Sequence, residues 1–382
     1  MSPIGPQHWS VPTPDPAPSA TPASRAPVVS PRERRILIAL AVLYAVVLIP
    51  IGINKGADLE VHLELVRRLL GHEPLYTSRA PNFGQWWPPF TLVLLVPFAW
   101  LAAVSLSLAK ACFTLLNVAA FAFAVCRSHA RYSRAALVAI AAVAMPLQTN
   151  FEYLNLNALL LALLVLAGDE LAAGRDARAG VALGLATALK AFPGLLFAYL
   201  AWRRQWRALA VGVGTALGLT LVAALVAAPD DMPGTLARWW SMGLAAIPEM
   251  HGRSQSLPAL LFRFGVPLPW QAILELGALG GALWALGTQG GDPRADLAIM
   301  MVVAVFLSPV AHTHYYLLVY PAWCVLLTRP PAIANRVAWY ALTSVAGVAT
   351  SGLLTVGAYE RRRALLGAGI YAWGALLFLA LL

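Results

Sequence analysis

The chain has 382 residues, 60% of them hydrophobic and only 12% charged. Soluble domains carry about a quarter charged residues, so this sequence cannot cover a water-exposed surface and is not a soluble globular enzyme. The formal charge of +10, from 27 Lys and Arg against 17 Asp and Glu, is scattered between apolar runs. That distribution suits anionic lipid surfaces and anionic lipid substrates rather than nucleic acid.

Apolar stretches recur along almost the whole length, and a spanning helix needs about 20 residues. The expected fold class is therefore an all-α polytopic membrane protein with about 10–12 transmembrane helices. Residues 1–31 contain nine prolines and almost no large apolar side chain, so they read as a disordered cytoplasmic tail ahead of a transmembrane domain at 32–382. They lack the basic and apolar regions of a signal peptide. Arg32, Arg34 and Arg35 then flank a first span over 36–53, positive side in the cytoplasm.

The segment 54–89 is expected as the first outer loop. Within it, 58–70 has helical periodicity: Leu59, Leu63, Val66 and Leu70 form one stripe, and Glu64 and Arg68 make a favourable i,i+4 pair. It is too short and too charged to span, so we read an amphipathic helix lying in the interface. A loop with Tyr76, Asn82 and Gln85-Trp86-Trp87-Pro88-Pro89 follows; paired tryptophans suit the headgroup zone.

Further spans read at 90–105, 106–126, 180–201, 208–228, 268–287, 295–311, 314–328, 337–357 and 364–382. The stretch 135–168, interrupted around Pro146 and Asn150, reads either as two short spans or as two half-helices lining a cavity. A second large outer loop is expected at 229–267. This topology puts Arg203, Arg204 and Arg207 on the N-terminal side. It leaves Arg127, Arg131, Arg134 and Arg361 to Arg363 outside, against the usual bias of basic residues. Gly180 with Gly184, and Gly214 with Gly218, have the spacing of close helix packing. Cys112, Cys126 and Cys324 lie in apolar runs without ligand spacing and read as packing residues.

Ionisable groups within or beside spans are costly and are functional candidates. Asp58 follows Gly56 at the mouth of the first loop; it reads as a helix N-cap or as a general base at the membrane surface. His62 lies one turn on, where a solvated surface position is expected. Lys190 falls about mid-span and needs a partner: Glu152, Asp58 or a lipid phosphate. His251 to Ser256, with Arg263 beyond, read either as an ordinary interfacial loop or as part of a site. His312 and His314 interrupt two apolar helices at the outer end of a span. At i,i+2 they do not share a helix face, which argues against a zinc pair. There is no P-loop, HExxH, GxSxG or CxxC pair.

Asp58-Leu59, the run from Leu69 to Tyr76, Phe83 and Trp87-Pro88-Pro89-Phe90 with Pro97 stand in a definite order. Gln148, Asn155, Leu189-Lys190-Ala191-Phe192-Pro193, Ser254-Gln255-Ser256 with Arg263, and Leu307-Ser308-Pro309 with His312-Thr313-His314 continue it. Over about 50–330 this set resembles the bacterial polyprenol-phosphate-mannose-dependent α-(1→2)-mannosyltransferases of the glycosyltransferase C superfamily. The chain departs from their pattern with Ser254 in place of Asn, Trp87 in place of Tyr and Leu147 in place of Gly.

The resemblance implies an inverting membrane hexosyltransferase, using mannose, in a bacterial inner membrane with its site facing the periplasm or exterior. Its partners would be a polyprenyl-phosphate sugar as donor, a lipid- or glycan-linked acceptor and membrane lipids. The donor brings its own leaving group, so no nucleotide domain is needed, and no metal-ligand set is assigned. The resemblance makes Asp58 the general base. It gives substrate-binding roles to Lys190, Arg263, His314, His312, Gln255, Ser256, Gln148, Trp87 and Tyr76, with Lys190, Arg263 and His314 on the phosphate. Two other classes use similar features: a flippase for lipid-linked sugars, which should show two related halves, and a polysaccharide polymerase or ligase using lipid pyrophosphates.

Overall fold

The computed structural model describes residues 30–76, 87–250, 254–289, 291–329, 335–355 and 359–381. The Pro-rich tail up to residue 29, Asn82, Phe83, Gln85, Trp86 and 251–253 lie outside the described residues. Among those described, all regular structure is helical.

Helix α1 (Pro31–Asn54) starts at a capping box in which Ser30 Oγ accepts from Glu33 N and the Glu33 carboxylate accepts from Ser30 N. It turns by 60° into α2 (Ala57–Leu70). Helices α3 (Pro89–Val104) and α4 (Leu106–Tyr132) meet at Ser105, whose hydroxyl caps α4 through Leu108 N. The ambiguous stretch resolves into α5 (Arg134–Ala141), α6 (Ala144–Tyr153), bent by 66° from α5, and a longer α7 (Asn157–Ala172).

Helix α8 (Asp176–Leu189) is followed by a 3-10 turn at Phe192–Leu195, then by α9 (Leu196–Trp202) and α10 (Trp206–Ala227). The second polar segment holds α11 (Met232–Met250) and α12 (Leu257–Arg263). Helices α13 (Leu268–Gln289) and α14 (Pro293–Leu307) precede a 3-10 segment at Thr313–Val319, which runs into α15 (Tyr320–Thr328). Helices α16 (Arg336–Ser351), α17 (Tyr359–Gly367) and α18 (Ile370–Leu381) complete the chain.

Helices α4 and α10 are each long and apolar enough to cross a bilayer alone; counting bent pairs as single spans raises the number to five among the described residues. The stretches 134–172 and 176–202 are cut into shorter helices, broken near Asn155 and Lys190 where the site lies. Leu59, Leu63, Leu65, Val66 and Leu69 of α2 are buried together with Leu92, Leu95 and Ala99 of α3. The apolar stripe of α2 is therefore satisfied by protein, while Leu70 stays outside it at 44% exposed.

One part of the expected topology needs correcting. Spans 90–105 and 106–126 were expected as consecutive crossings. However, Lys110, one turn into α4, donates to Ile53 O at 3.1 Å and to Lys55 O, and pairs with Glu60. The start of α4 therefore meets the end of α1. Gly52 of α1 also packs against Thr114 of α4, and the two helices run side by side from there. Helices α1 and α4 are antiparallel neighbours, and α2 and α3 together form an excursion at one end that does not cross. Arg127, Arg131 and Arg134 consequently sit at the end carrying the N-terminal flank. There Arg131 pairs with Asp292 at 2.6 Å, and Asp169 receives Arg127 and Arg294. Arg361 to Arg363 lie in the helix whose end meets Gln255, whereas Arg127, Arg131 and Arg134 share the end of the N-terminal basic flank. Arg203, 3.8 Å from Asp296, shares that end as expected.

The two glycine pairs part company. A Cβ on Gly180 would meet Ala208 O at 2.5 Å, and one on Gly184 would meet Gly212 O at 2.5 Å, so α8 and α10 touch backbone to backbone. Gly214 and Gly218 have nothing within 4 Å and do not serve packing. Gly184→Ala is expected to destabilise the fold by about 1–3 kcal/mol, the range for overpacking, whereas Gly218→Ala is expected to hold or raise the melting temperature, because the added methyl meets open space and alanine is the better helix former. Thermal unfolding of both variants in detergent checks the contrast.

Candidate active site

The site forms where three chain breaks converge. The first is Gly56, whose φ of 80° is left-handed and open to glycine without strain. A side chain there would also strike Leu154 Cδ1 and Gly52 O, at 2.8 and 2.9 Å. Gly56 N donates to Glu152 O at 2.7 Å, tying the α1–α2 corner to α6. Gly56 itself occupies the N-cap position of α2, so Asp58 is not the cap. It stands in the first turn with its carboxylate turned towards α6 and α7.

The second break follows α6. Leu154 is left-handed at φ 53°, and Asn155 comes next, pinned by its own N–H to Asn150 O at 3.0 Å. The Asn155 Nδ2 donates to Asp58 Oδ2 at 2.7 Å. The third break ends α8. Pro193 cannot accommodate a helical carbonyl four residues before it, and that carbonyl, Leu189 O, instead accepts from Thr91 Oγ1 of α3 at 2.7 Å. Lys190 is thereby released into extended backbone. It lies at a helix break and not at mid-span as the sequence implied.

Lys190 is 4% exposed, and its ammonium is held inside the site. It donates to Asn155 Oδ1 at 2.8 Å and to Asn157 Oδ1 at 3.0 Å, and lies 3.9 Å from the centre of the Tyr315 ring. Trp87 is also near, at 5.9 Å from its ring centre. Asp58 thus reaches Lys190 through Asn155. Glu152, the other candidate partner, is engaged elsewhere: Lys55 lies 3.0 Å from it and Gln148 Nε2 donates to it at 2.9 Å.

The aromatic wall is assembled from both sides. His62 stacks on Trp87 with ring centres 3.4 Å apart and planes within 19°, and its Nδ1 meets Asp58 O. At 1% exposed, His62 is not the solvated residue its spacing implied, because α2 packs against α3 on a wider face than the leucine stripe. Tyr76 donates its hydroxyl to Trp87 O at 2.9 Å and fixes the start of α3. On the opposite side, Asn157 Nδ2 donates to His314 O at 3.0 Å, which anchors the 3-10 segment. The His314 ring lies 5.2 Å from Tyr315, 5.6 Å from His312 and 5.6 Å from Tyr153, centre to centre.

Gln255, Ser256 and Arg263 form a second group behind that segment. Gln255 N donates to Ala311 O at 2.7 Å, its Nε2 to Leu366 O at 2.8 Å, and its carbonyl accepts from Tyr316 Oη. Ser254 Oγ shares a hydrogen bond with Ser256 Oγ at 2.9 Å and accepts from Ala311 N; Arg263 Nη1 donates to Ser254 O at 2.8 Å. These contacts fasten α12, the end of α17 and the segment bearing His312 and His314 into one unit. The sequence did not single out Asn157 or Thr91, and it reads Tyr315 only as part of the run from Ser308 to Tyr316, although two amides spaced i,i+2 between apolar helices mark a polar break.

Burial pushes the Asp58 carboxyl above its ordinary value; the hydrogen bond from Asn155 and the charge of Lys190 pull it partway back. The side chain remains partly exposed, so a hydroxyl can reach it. Among the described residues, no group of three His, Cys, Asp or Glu side chains could hold a metal ion. A poised carboxylate beside a buried ammonium can accept a proton and, a few ångströms away, stabilise an anion.

A multi-pass membrane protein, helical throughout its described residues, gathers a carboxylate and a buried cation at one end of its bundle, an arrangement suited to group transfer within a membrane. The family profile of glycosyltransferase family 87 matches residues 86–313, more than half of the chain, and the chain belongs to that family. It is a membrane glycosyltransferase. Among curated proteins it is similar to the polyprenol-phosphate-mannose-dependent alpha-(1-2)-phosphatidylinositol mannoside mannosyltransferases of Mycolicibacterium smegmatis and Mycobacterium tuberculosis. Each is 26% identical, over 332 and 324 residues, covering 76% of this chain and 74% of the relative. A phosphatidylinositol pentamannoside mannosyltransferase of Mycobacterium tuberculosis is 26% identical over 363 residues, covering 86% of this chain and 82% of its own. The solved structure of ArnT from Cupriavidus metallidurans, bound to undecaprenyl phosphate, aligns with a TM-score of 0.49 at 19% identity. That alignment covers 91% of this chain and 76% of the other.

Proposed function

We propose that this enzyme transfers a hexose, mannose by analogy with its relatives, from a polyprenyl-phosphate donor to a hydroxyl of a lipid- or glycan-linked acceptor. The site end faces the outside of a bacterial inner membrane. The observation that carries the reading is the pairing of Asp58 and Lys190 across Asn155. The acceptor hydroxyl loses its proton to the Asp58 carboxylate as its oxygen attacks the anomeric carbon. The bond from that carbon to the phosphate oxygen breaks, and the electron pair leaves with the polyprenyl phosphate. Lys190 faces the charge that develops there, with His314 near it on the same wall. One displacement inverts the anomeric configuration. Gln148, Trp87 and Tyr76 shape the Asp58 side, while Arg263, Gln255 and Ser256 brace the segment carrying His312 and His314.

The test is incubation of purified enzyme with radiolabelled polyprenyl-phosphate mannose and a lipid glycoside acceptor in nanodiscs. Label appearing in the acceptor with inverted anomeric configuration is the expected result. Donor movement between leaflets of sealed proteoliposomes, with no label reaching the acceptor, would overturn the reading.

A further inference from the structure

The donor and acceptor roles of the Asn155 amide are fixed by its neighbours. Its oxygen receives two donors, Leu156 N at 2.8 Å and Lys190 Nζ at 2.8 Å, which leaves Nδ2 to face Asp58 at 2.7 Å. Its backbone is pinned by the hydrogen bond to Asn150 O, directly after the left-handed turn at Leu154. The amide cannot flip without setting its N–H groups against two donors. The ammonium is cradled by neutral partners throughout: two amide oxygens and the face of Tyr315.

We infer that Asn155 is a positioning residue that keeps the Asp58 carboxylate and the Lys190 ammonium apart while hydrogen-bonding to both. The inference rests on the roles proposed above for Asp58 and Lys190. Two opposite charges this close in a poorly hydrated site would otherwise collapse into a direct ion pair. That pair would make the carboxylate a weaker base and would spend the cation on the carboxylate instead of on a leaving phosphate. A neutral amide prevents this because it presents an acceptor to one group and a donor to the other at fixed spacing. Among the described residues, the other charged groups near the site are paired with one another. Glu152 pairs with Lys55 and Lys110 with Glu60, and the remaining titratable neighbours, His62, Tyr315 and His314, are aromatic.

The experiment measures kcat/KM against pH for full-length wild type, Asn155→Leu, Asn155→Ser and Asn155→Asp, with Asp58→Asn as a control on the underlying reading. Serine is too short to fill the gap and lets the charges close, whereas leucine keeps the volume and removes both hydrogen bonds. For Asn155→Ser the acid limb is expected to move down by about 1–3 pH units, the shift of a carboxylate meeting a cation. For Asn155→Leu it is expected to move up, because the bond from Asn155 holds the Asp58 carboxyl down; kcat falls in both. A carboxylate at position 155 takes Lys190 for itself and repels Asp58, so Asn155→Asp should move the limb up. Opposite shifts from variants at one position are not the signature of a merely structural residue. Unmoved acid limbs in the folded variants, whatever the loss of rate, would overturn the inference. A near wild-type rate in Asp58→Asn would instead sink the base assignment on which it rests. Serine keeps the test open if leucine does not fold.

Discussion

Asp58→Asn is expected to lower kcat for sugar transfer by about 10²–10⁴-fold, the usual worth of a general base, with the fold intact. The substitution is nearly isosteric, and an amide oxygen at that position still accepts from Asn155 Nδ2, the contact that aligns α2 with α6 and α7. What disappears is the ability to take the acceptor's proton. The wild type has a matching pH signature. Burial holds the Asp58 carboxyl above the ordinary carboxylate range, and the base works only when ionised. Activity should therefore fall as pH drops through that raised value, on an acid limb displaced upward from that of a solvated aspartate. The limb belongs to Asp58 only if it is absent from the residual activity of Asp58→Asn. A variant that transfers sugar at a near wild-type rate would remove Asp58 from the mechanism.

Much of this arrangement could be read in the sequence because the bilayer is a severe solvent. Few charges are tolerated among apolar runs, so Asp58, Lys190 and the two histidines stood out as interruptions. The class of fold followed from the same scarcity. The direction of the chain was harder to read. Helix α3 is as apolar as a spanning segment, and only the contact of Lys110 with the end of α1 reveals that α3 stays at one end. A pattern of hydropathy cannot distinguish a helix buried in protein from one buried in lipid. The same ambiguity misplaced His62, whose burial depends on α3 lying against α2.

The site's internal wiring was less legible still. Asn155 and Asn157 are legible as a polar break between apolar helices, but their separate roles arise from the left-handed turn at Leu154. Lys190 looked like a mid-span cation seeking a carboxylate. It instead sits in a break produced jointly by Pro193 and by the acceptance of Leu189 O by Thr91, a residue far away in sequence. Gln255, Ser256 and Arg263 were recognisable as a cluster, but not as the clamp that holds the histidine segment to α12 and the end of α17.

Lys190→Gln separates the charge of this residue from its hydrogen bonds. The amide can still donate to Asn155 or Asn157, so the polar break remains satisfied, while the positive charge proposed to face the leaving phosphate is gone. The expected loss is about 10²–10³-fold in kcat, comparable to removing a preorganised donor from an oxyanion site, together with a raised KM for the polyprenyl-phosphate donor. Acceptor KM should change little, because Asp58 and its approach are untouched. Lys190→Arg is not expected to rescue. One nitrogen of the native residue meets two amide oxygens at 2.8 and 3.0 Å while lying 3.9 Å from the Tyr315 ring centre. A planar, forked guanidinium cannot reproduce that convergence in the same volume. Steady-state kinetics with donor and acceptor varied separately decides the matter. If only the acceptor constant moved, the cation would belong to acceptor recognition, and the phosphate would need another partner.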